Sequence, residues 1–399
     1  MQNIISNYIP RVAETVIESD FKSRKVIILL GARQVGKTTL IQKILQTRKT
    51  SYLNFDVEID KQRFLAASVL DPVQAMTIFK NPDFFVIDEV QRLPDATRII
   101  KGWHDSRLPV IFILLGSSSI RIADHAAESL AGRNKKRILP SLSFWEIIRS
   151  QPWSRGFSPE QIQNQFSEAI DSLLLHCLVF GHYPEAVITS DKRSYLMNLT
   201  SDILVRDLLQ LGLIRTPDHI QKILSLLAHQ IGSEVSINEL SKTSGISRST
   251  IERYLSLLEQ SFVIFKLPAF SSNPRKEITK SQKYYFWDTG IRNALLNEFS
   301  ENPYRSDIGG LWENWVIAEF ARQNLLSGQR RKLYFWRSRA GSEVDLVIQK
   351  DELLWSFEIK WNPKRRPGRA FTGAYQTPVS TIHRQAPIFF IEEFREMIL

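Results

Sequence analysis

The stretch Val26 to Leu40, VIILLGARQVGKTTL, restricts what this chain can fold into more than any other. Five apolar residues, Val26 to Leu30, read as a buried strand. A turn follows over Gly31 to Gly36, and a helix opens at Lys37 with Leu40, Ile41, Ile44 and Leu45 on one face. Gly31, Gly36, Lys37 and Thr38 satisfy G-x-x-x-x-G-K-[ST] in full. Glycines let successive backbone N–H groups turn inward around a phosphate chain, and the helix N-terminus adds the positive end of its dipole. The loop Gly31, Ala32, Arg33, Gln34, Val35, Gly36, Lys37, Thr38, Thr39 is therefore expected to cradle ATP. Lys37 would reach the β- and γ-phosphates, and the Thr38 hydroxyl would ligate Mg²⁺. A Gly-containing turn without a ligand would not need a strand before it and a helix after it in this register.

Other short apolar runs alternate with helical segments through residue 145. Ser51–Asp56 reads as a second strand, Phe84–Asp88 as a third and Val110–Gly116 as a fourth. Near-continuous apolar strands separated by helices imply an α/β fold with a parallel sheet covered on both faces. Ligands in such sheets sit at the carboxyl ends of the strands, where Gly31, Asp88 and Gly116–Ser118 fall. FFVIDEVQ has the Walker B form: Asp88 would hold Mg²⁺ through water, and Glu89 would orient or deprotonate the attacking water. Gln91 would help sense the nucleotide. Ser117 or Ser118, at the end of the next strand, would hydrogen-bond the water or the γ-phosphate, although serines at strand ends are also ordinary turn residues. Arg133, in the polar stretch ESLAGRNKK, is a candidate arginine finger for a neighbouring subunit. The competing reading is a surface arginine among Lys135, Lys136 and Arg137.

Composition bounds the rest. At 399 residues, with 43% hydrophobic content, the chain has material for two to four domains. Its one cysteine, Cys177, allows no internal disulfide, which fits a reducing, cytoplasmic setting. The N-terminus lacks the pattern of a signal peptide, and no apolar run approaches a membrane span. The net charge of +10 favours an acidic partner, nucleic acid first.

Residues 151–232 read as helical, opening on the Pro/Gly/Ser-rich stretch Gln151–Gln161. His176 and His182 are isolated and show no metal-ligand spacing. Residues 233–283 read as a helix, a turn at Gly245 and a second helix, with Ser236 and Glu239 forming a capping box. Ile251, Tyr254, Leu255, Leu258 and Phe262 line one face of the second helix. Arg248, Ser249, Glu252 and Arg253 fall on the other. This is the helix-turn-helix pattern, and FVIFKLPAF would supply wing strands. In such domains the second helix reads the DNA major groove, although Glu252 among the basic residues weakens that assignment. Residues 284–399 are again α/β. Asp345 is followed by Glu358 and Lys360, D-(x)n-E-x-K on neighbouring strands, with Glu313 on a preceding helix. Those acids would bind a second Mg²⁺, with Lys360 activating water for phosphodiester cleavage. The alternative is a salt-bridged cluster in a fold used for binding. The basic run Lys364, Arg365, Arg366 and Arg369 follows. Six tryptophans crowd this last third, and core or interface packing explains them more simply than base stacking.

The ordered set YIPR, GARQVGKTTL, LNFD, IDEVQRLP, GSSS, SLAGR, LSFWEI, YPEAV, RDLLQL, YLSLLEQSFVIFKLPAF, YFWDTGIRNAL, LWENWVIAE, EVDLVI and FEIKW resembles a bacterial and archaeal family of AAA-type predicted ATPases with a C-terminal domain of unknown function. The resemblance spans nearly the whole chain. It implies an AAA-like ATPase domain over 1–150, a helical region over 151–232, a winged helix over 233–283 and a PD-(D/E)XK nuclease-like domain over 284–399. It places Ser117 at the sensor position, Arg133 at the finger position, and Glu313, Asp345, Glu358 and Lys360 in the nuclease-like cluster. GHYPE departs from the family, which usually has two glycines before the tyrosine, so His182 puts that turn's geometry in question.

The expectation is an oligomeric, Mg²⁺-dependent ATPase that binds and remodels DNA, branched or junction DNA included. Two alternatives are a nucleotide-switched regulatory or assembly protein with a protein-binding C-terminal domain, and an ATP-gated Mg²⁺ endonuclease.

Overall fold

The computed structural model describes residues 8–117, 130–203, 216–271, 282–326, 331–338, 340–362 and 369–385. The chain divides into two compact units, Met1–Pro140 with Gln260–Phe262, and Ser141–Glu259 with Val263–Leu399.

The first unit runs α1 (Ala13–Phe21), β1 (Val26–Leu30), α2 (Lys37–Ile44), β2 (Thr50–Asn54), α3 (Glu58–Ser68), α4 (Pro72–Ile78), β3 (Phe84–Asp88), α5 (Ala96–Asp105), β4 (Ile111–Gly116) and β5 (Asn134–Ile138). The five strands form one sheet in the order β2-β3-β4-β1-β5, every neighbouring pair parallel. All five residues of β1 and all five of β3 are buried. A strand apolar on both faces is stable only with both faces covered. On the side of Phe85, the core is aromatic: Phe85 meets Trp103 edge-on at 5.7 Å, and Trp103 meets Phe64 at 5.1 Å. The sequence expectation of a parallel α/β sheet holds, with strand ends shifted by a residue or two.

One element departs from it. The stretch around Lys135, Lys136 and Arg137, expected as a polar loop, is β5, paired with β1 from Val26↔Asn134 to Leu30↔Ile138. Its cations have a partner the sequence does not display. Asp20 of α1, 1% exposed, is gripped by both arms of Arg137 at 2.7 and 2.8 Å and by Lys135 at 3.1 Å. Burial alone would raise the Asp20 carboxyl, but these hydrogen bonds hold it below the ordinary range.

The second unit runs α6 (Phe144–Ser150), α7 (Pro159–Gln165), α8 (Ser167–Phe180), α9 (Pro184–Ile188), α10 (Lys192–Asp202), α11 (Pro217–His229), β6 (Glu234–Val235), α12 (Ile237–Ser244), α13 (Arg248–Gln260), β7 (Ile264–Pro268), β8 (Gln282–Phe286), α14 (Thr289–Leu296), α15 (Ile308–Leu326), β9 (Lys332–Arg337), β10 (Glu343–Lys350), β11 (Leu353–Ile359), α16 (Ala370–Tyr375) and β12 (Val379–Ile382). Strands β6, β8 and β7 make an antiparallel sheet in that order. A second sheet has the order β12-β11-β10-β9, antiparallel except for the parallel pair β11/β12. The register of β10 against β9 shifts between Val344 and Val347, a bulge that contains Asp345. Helix α15 is apolar nearly all round and is buried, with Trp312 and Trp315 stacked at 5.3 Å. Trp336 and Trp361 are buried as well, so these four tryptophans serve packing.

The GHYPE turn is resolved as core structure. His182 is 1% exposed. Its Nε2 accepts from the Trp315 indole at 2.7 Å, which leaves Nδ1 to donate to the Leu142 carbonyl at 2.7 Å. Burial and the neighbouring Arg322 hold the ring far below the usual histidine range, so it is neutral.

Candidate functional site

The phosphate loop is shaped by its glycines. A Cβ on Gly31 would lie 2.2 Å from the Leu139 carbonyl oxygen, so no other residue fits between β1 and the segment after β5. Gly36 caps α2 in the left-handed conformation, φ 92°, which L side chains rarely adopt. Lys37 is buried, and its ammonium donates to the carbonyls of Gly31 at 2.9 Å and Ala32 at 2.8 Å. Ala32 and Val35 are buried, Arg33 and Thr39 are half-buried and Gln34 is exposed. A residue missed in the sequence holds the loop from behind. Arg11, 6% exposed, donates to the Val35 carbonyl at 3.0 Å and to the Pro140 carbonyl at 2.8 Å.

Asp88 reaches the loop although β4 separates its strand from β1. The Thr38 hydroxyl donates to Asp88 Oδ2, and so does the hydroxyl of Tyr52. Tyr52 is a second residue the sequence did not single out. Burial and the Asp88 charge push its phenol far above the usual range, so it stays a donor. A hydroxyl and a carboxylate side by side at a phosphate loop form a hard-oxygen pair suited to Mg²⁺, which prefers such ligands and keeps several waters. The residues present fit that ion.

Glu89 occupies a left-handed conformation, φ 52°, that few non-glycine residues adopt. It accepts from the Gln91 amide and from Ser117 Oγ at 3.4 Å, and Gln91 also donates to Ser117 at 3.0 Å. Burial pushes the Glu89 carboxyl above the ordinary glutamate range; the Lys37 ammonium draws it back and the Asp88 charge adds to the rise. The structure thus gathers Lys37, Thr38, Asp88, Glu89, Gln91 and Ser117 at one sheet edge, while Ser118 lies outside the described residues.

Arg133 is not at that edge. Its carbonyl accepts from Val26 N–H, level with the start of β1, whereas the phosphate loop follows the end of β1. The intervening strand spans about 15 Å at roughly 3.3 Å per residue. Its guanidinium pairs with Asp105 at 2.7 Å.

On α13, Arg248, Ser249, Glu252 and Arg253 are exposed and Ile251, Tyr254, Leu255 and Leu258 are buried. Ser236 caps α12 by accepting from Glu239 N–H at 3.3 Å. Lys364, Arg365 and Arg366 lie outside the described residues, and Arg369 is exposed.

Among the described residues no three His, Cys, Asp or Glu side chains are grouped where they would hold a metal ion. Asp345 Oδ2 accepts from Ile359 N–H at 2.7 Å and from Lys360 at 2.9 Å. Glu313 Oε1 accepts from Tyr285 at 2.7 Å and from Lys283 at 3.1 Å. Glu358 is half-buried, and its charge acts on Lys360. The charges of Asp345, Glu358 and Glu313 all act on Lys360, and Glu313 pairs with a buried lysine, Lys283, that the sequence did not single out.

Comparison with known proteins agrees with the first unit's fold. Residues 23–148 match the model of an AAA domain, residues 308–387 a domain of unknown function, DUF4143, and residues 171–302 another, DUF8612. An uncharacterized protein of Mycobacterium tuberculosis is 28% identical over 344 residues, 84% of this chain and 70% of its own length. One from Methanocaldococcus jannaschii is 25% identical over 381 residues, 91% of this chain and 82% of its own. Among solved structures, a Walker-type ATPase of Pyrococcus abyssi superposes with a TM-score of 0.52 at 14% identity, covering 73% of this chain and 97% of that one, a likeness of fold alone. No helix among the described residues is long and apolar enough to cross a membrane. The chain thus carries an AAA domain followed by a DUF4143 domain, and is similar over most of its length to uncharacterized proteins of bacteria and archaea.

Proposed function

We propose that this protein is a Mg²⁺-dependent ATPase that binds DNA, duplex or branched, and couples hydrolysis to its remodelling as a homo-oligomer. The observation that carries the ATPase reading is the joint placement of Lys37, Thr38, Asp88 and Glu89 at one sheet edge. In this reading Lys37 leaves the carbonyls of Gly31 and Ala32 for the β- and γ-phosphates. Thr38 and Asp88 hold Mg²⁺, which would neutralise charge on the phosphate oxygens. Glu89 takes a proton from the attacking water, aided by a carboxyl raised above the ordinary range. Gln91 and Ser117 hold Glu89 until the γ-phosphate competes for them. Arg133 lies too far along β1 to serve its own site, which favours action on a neighbouring subunit.

The DNA reading rests on the basic net charge and on α11–α13 with strands β6, β8 and β7, an arrangement that supports a winged helix. Arg248, Ser249 and Arg253 sit on the exposed face of its second helix-turn-helix element, and Lys364, Arg365 and Arg366 would add phosphate contacts. To test it, duplex and four-way DNA binding is measured against salt for wild type and for the Arg248→Glu/Arg253→Glu double variant. The expected result is weaker binding, with the salt slope reduced by about 1 per lost phosphate contact. Equal affinity and slope would remove α13 from the interface. A nucleotide-switched regulatory protein is the second reading, favoured by the filled acidic cluster of the C-terminal sheet.

A further inference from the structure

We propose that the acidic cluster of the C-terminal sheet takes a lysine ammonium in place of a divalent metal: Lys283, from β8, is its resident cation. This inference is independent of the ATPase reading.

A cation already sits between two acids of the cluster. Lys283 is 2% exposed, and its ammonium lies 3.1 Å from Glu313 Oε1 on α15 and 2.5 Å from Glu343 Oε1 on β10. The Phe335 ring lies 5.4 Å beneath it, a further favourable contact for a cation. Glu313 Oε1 takes a second donor, the Tyr285 hydroxyl, and Asp345 Oδ2 takes two, from Ile359 N–H and Lys360. A carboxylate oxygen has two lone pairs. A metal seated between Glu313 Oε1 and Glu343 Oε1 would have to displace the Lys283 ammonium.

The competing cation is also poorly placed. Mg²⁺ sheds its water reluctantly. A tethered ammonium meets the carboxylates at the effective concentration of an intramolecular partner, on the order of millimolar or above. Lys283, Glu313 and Glu343 belong to three different elements, β8, α15 and β10, so the ion cluster ties the small antiparallel sheet to the larger one.

The test uses the full chain without nucleotide, with Mn²⁺ as the probe and bound metal counted by its electron spin resonance signal. Wild type and Asp345→Asn are expected to bind the same number of Mn²⁺ ions. Lys283→Met, which removes the ammonium and keeps the stem's bulk, is expected to gain one Mn²⁺ equivalent, at least tenfold tighter than any wild-type site outside the phosphate loop. Adding Glu343→Gln, which removes one of the two acids that Lys283 releases, should abolish it. A Mn²⁺ ion bound by wild type and lost in Asp345→Asn would overturn the proposal, as would a folded Lys283→Met chain with no new site. If Lys283→Met does not fold, the comparison of wild type with Asp345→Asn decides alone. Cleavage of supercoiled plasmid by wild type in Mn²⁺, absent in Asp345→Asn, would equally overturn it.

Discussion

In the proposed mechanism the chemistry turns on Glu89. Its left-handed backbone costs on the order of 1 kcal/mol or more, and its carboxylate is held by Gln91 and Ser117 rather than left to solvent. Replacing Glu89 by Gln is expected to lower ATP turnover by about 10²–10⁴ with nucleotide affinity retained, the range for losing a general base. The base must be ionised, and burial raises its carboxyl. The acid limb of kcat/KM should therefore lie above the ordinary glutamate range, with activity lost as pH falls through it; a limb at or below that range would argue against Glu89 as the base. Arg11 offers a second residue-scale prediction. Arg11→Ala removes two hydrogen bonds to backbone carbonyls, one of them Val35 inside the loop. Nucleotide affinity should fall about 10- to 150-fold for the roughly 1.5–3 kcal/mol that a charged hydrogen bond contributes, as measured by calorimetric titration. The placement of Lys37, Thr38, Asp88 and Glu89 at one sheet edge was legible because local spacing puts each at the end of an apolar strand or the start of a helix. Arg11 and Tyr52 were not, because each meets its partner 24 or 36 residues away, a separation no spacing rule covers.

Strand β5 shows the same limit at the scale of an element. Apolar runs announced β1, β3 and β4 because those strands are covered on both faces. NKKRI has no apolar run and no alternation, since its cations are answered by Asp20 on α1 rather than by a core. Asp20→Ala removes the buried partner of Arg137 and Lys135, which are themselves partly exposed, and should destabilise the first unit by about 1–3 kcal/mol, read from urea unfolding. The Asp307 carboxyl gives a pH signature in the second unit. Burial would raise it, but Arg305 and Arg292 hold it down at about 2. A carboxyl depressed in the folded state contributes stability present above the unfolded value near 3.8 and lost as pH falls towards 2. The contribution is about 2 kcal/mol. Asp307→Asn should be less stable at neutral pH by that amount and should flatten the stability profile between pH 4 and 2; an unchanged profile would contradict the assignment. Lys283, in contrast, was written in the sequence beside YYFW and passed over, because a lysine in a strand carries no signal that it will be buried among acids.

At the scale of the whole molecule, the account requires a second copy of the chain, because Arg133 stands at the opposite end of β1 from the phosphate loop. Arg133→Ala and Glu89→Gln chains should each be poorly active alone. Mixed in equal amounts and allowed to exchange, they should recover about a quarter of wild-type turnover, one half times one half, since a head-to-tail interface pairs one chain's Glu89 with its neighbour's Arg133. No recovery would place Arg133 outside the catalytic interface. The central claim, that ATP hydrolysis at Lys37 and Glu89 is coupled to DNA, is tested most directly by ATP turnover of wild type and Glu89→Gln, each alone and with duplex, single-stranded or four-way DNA. The account predicts that at least one DNA form stimulates wild type in a salt-sensitive way, and that Glu89→Gln stays near background with all of them. Wild-type turnover unchanged by every DNA form would contradict it.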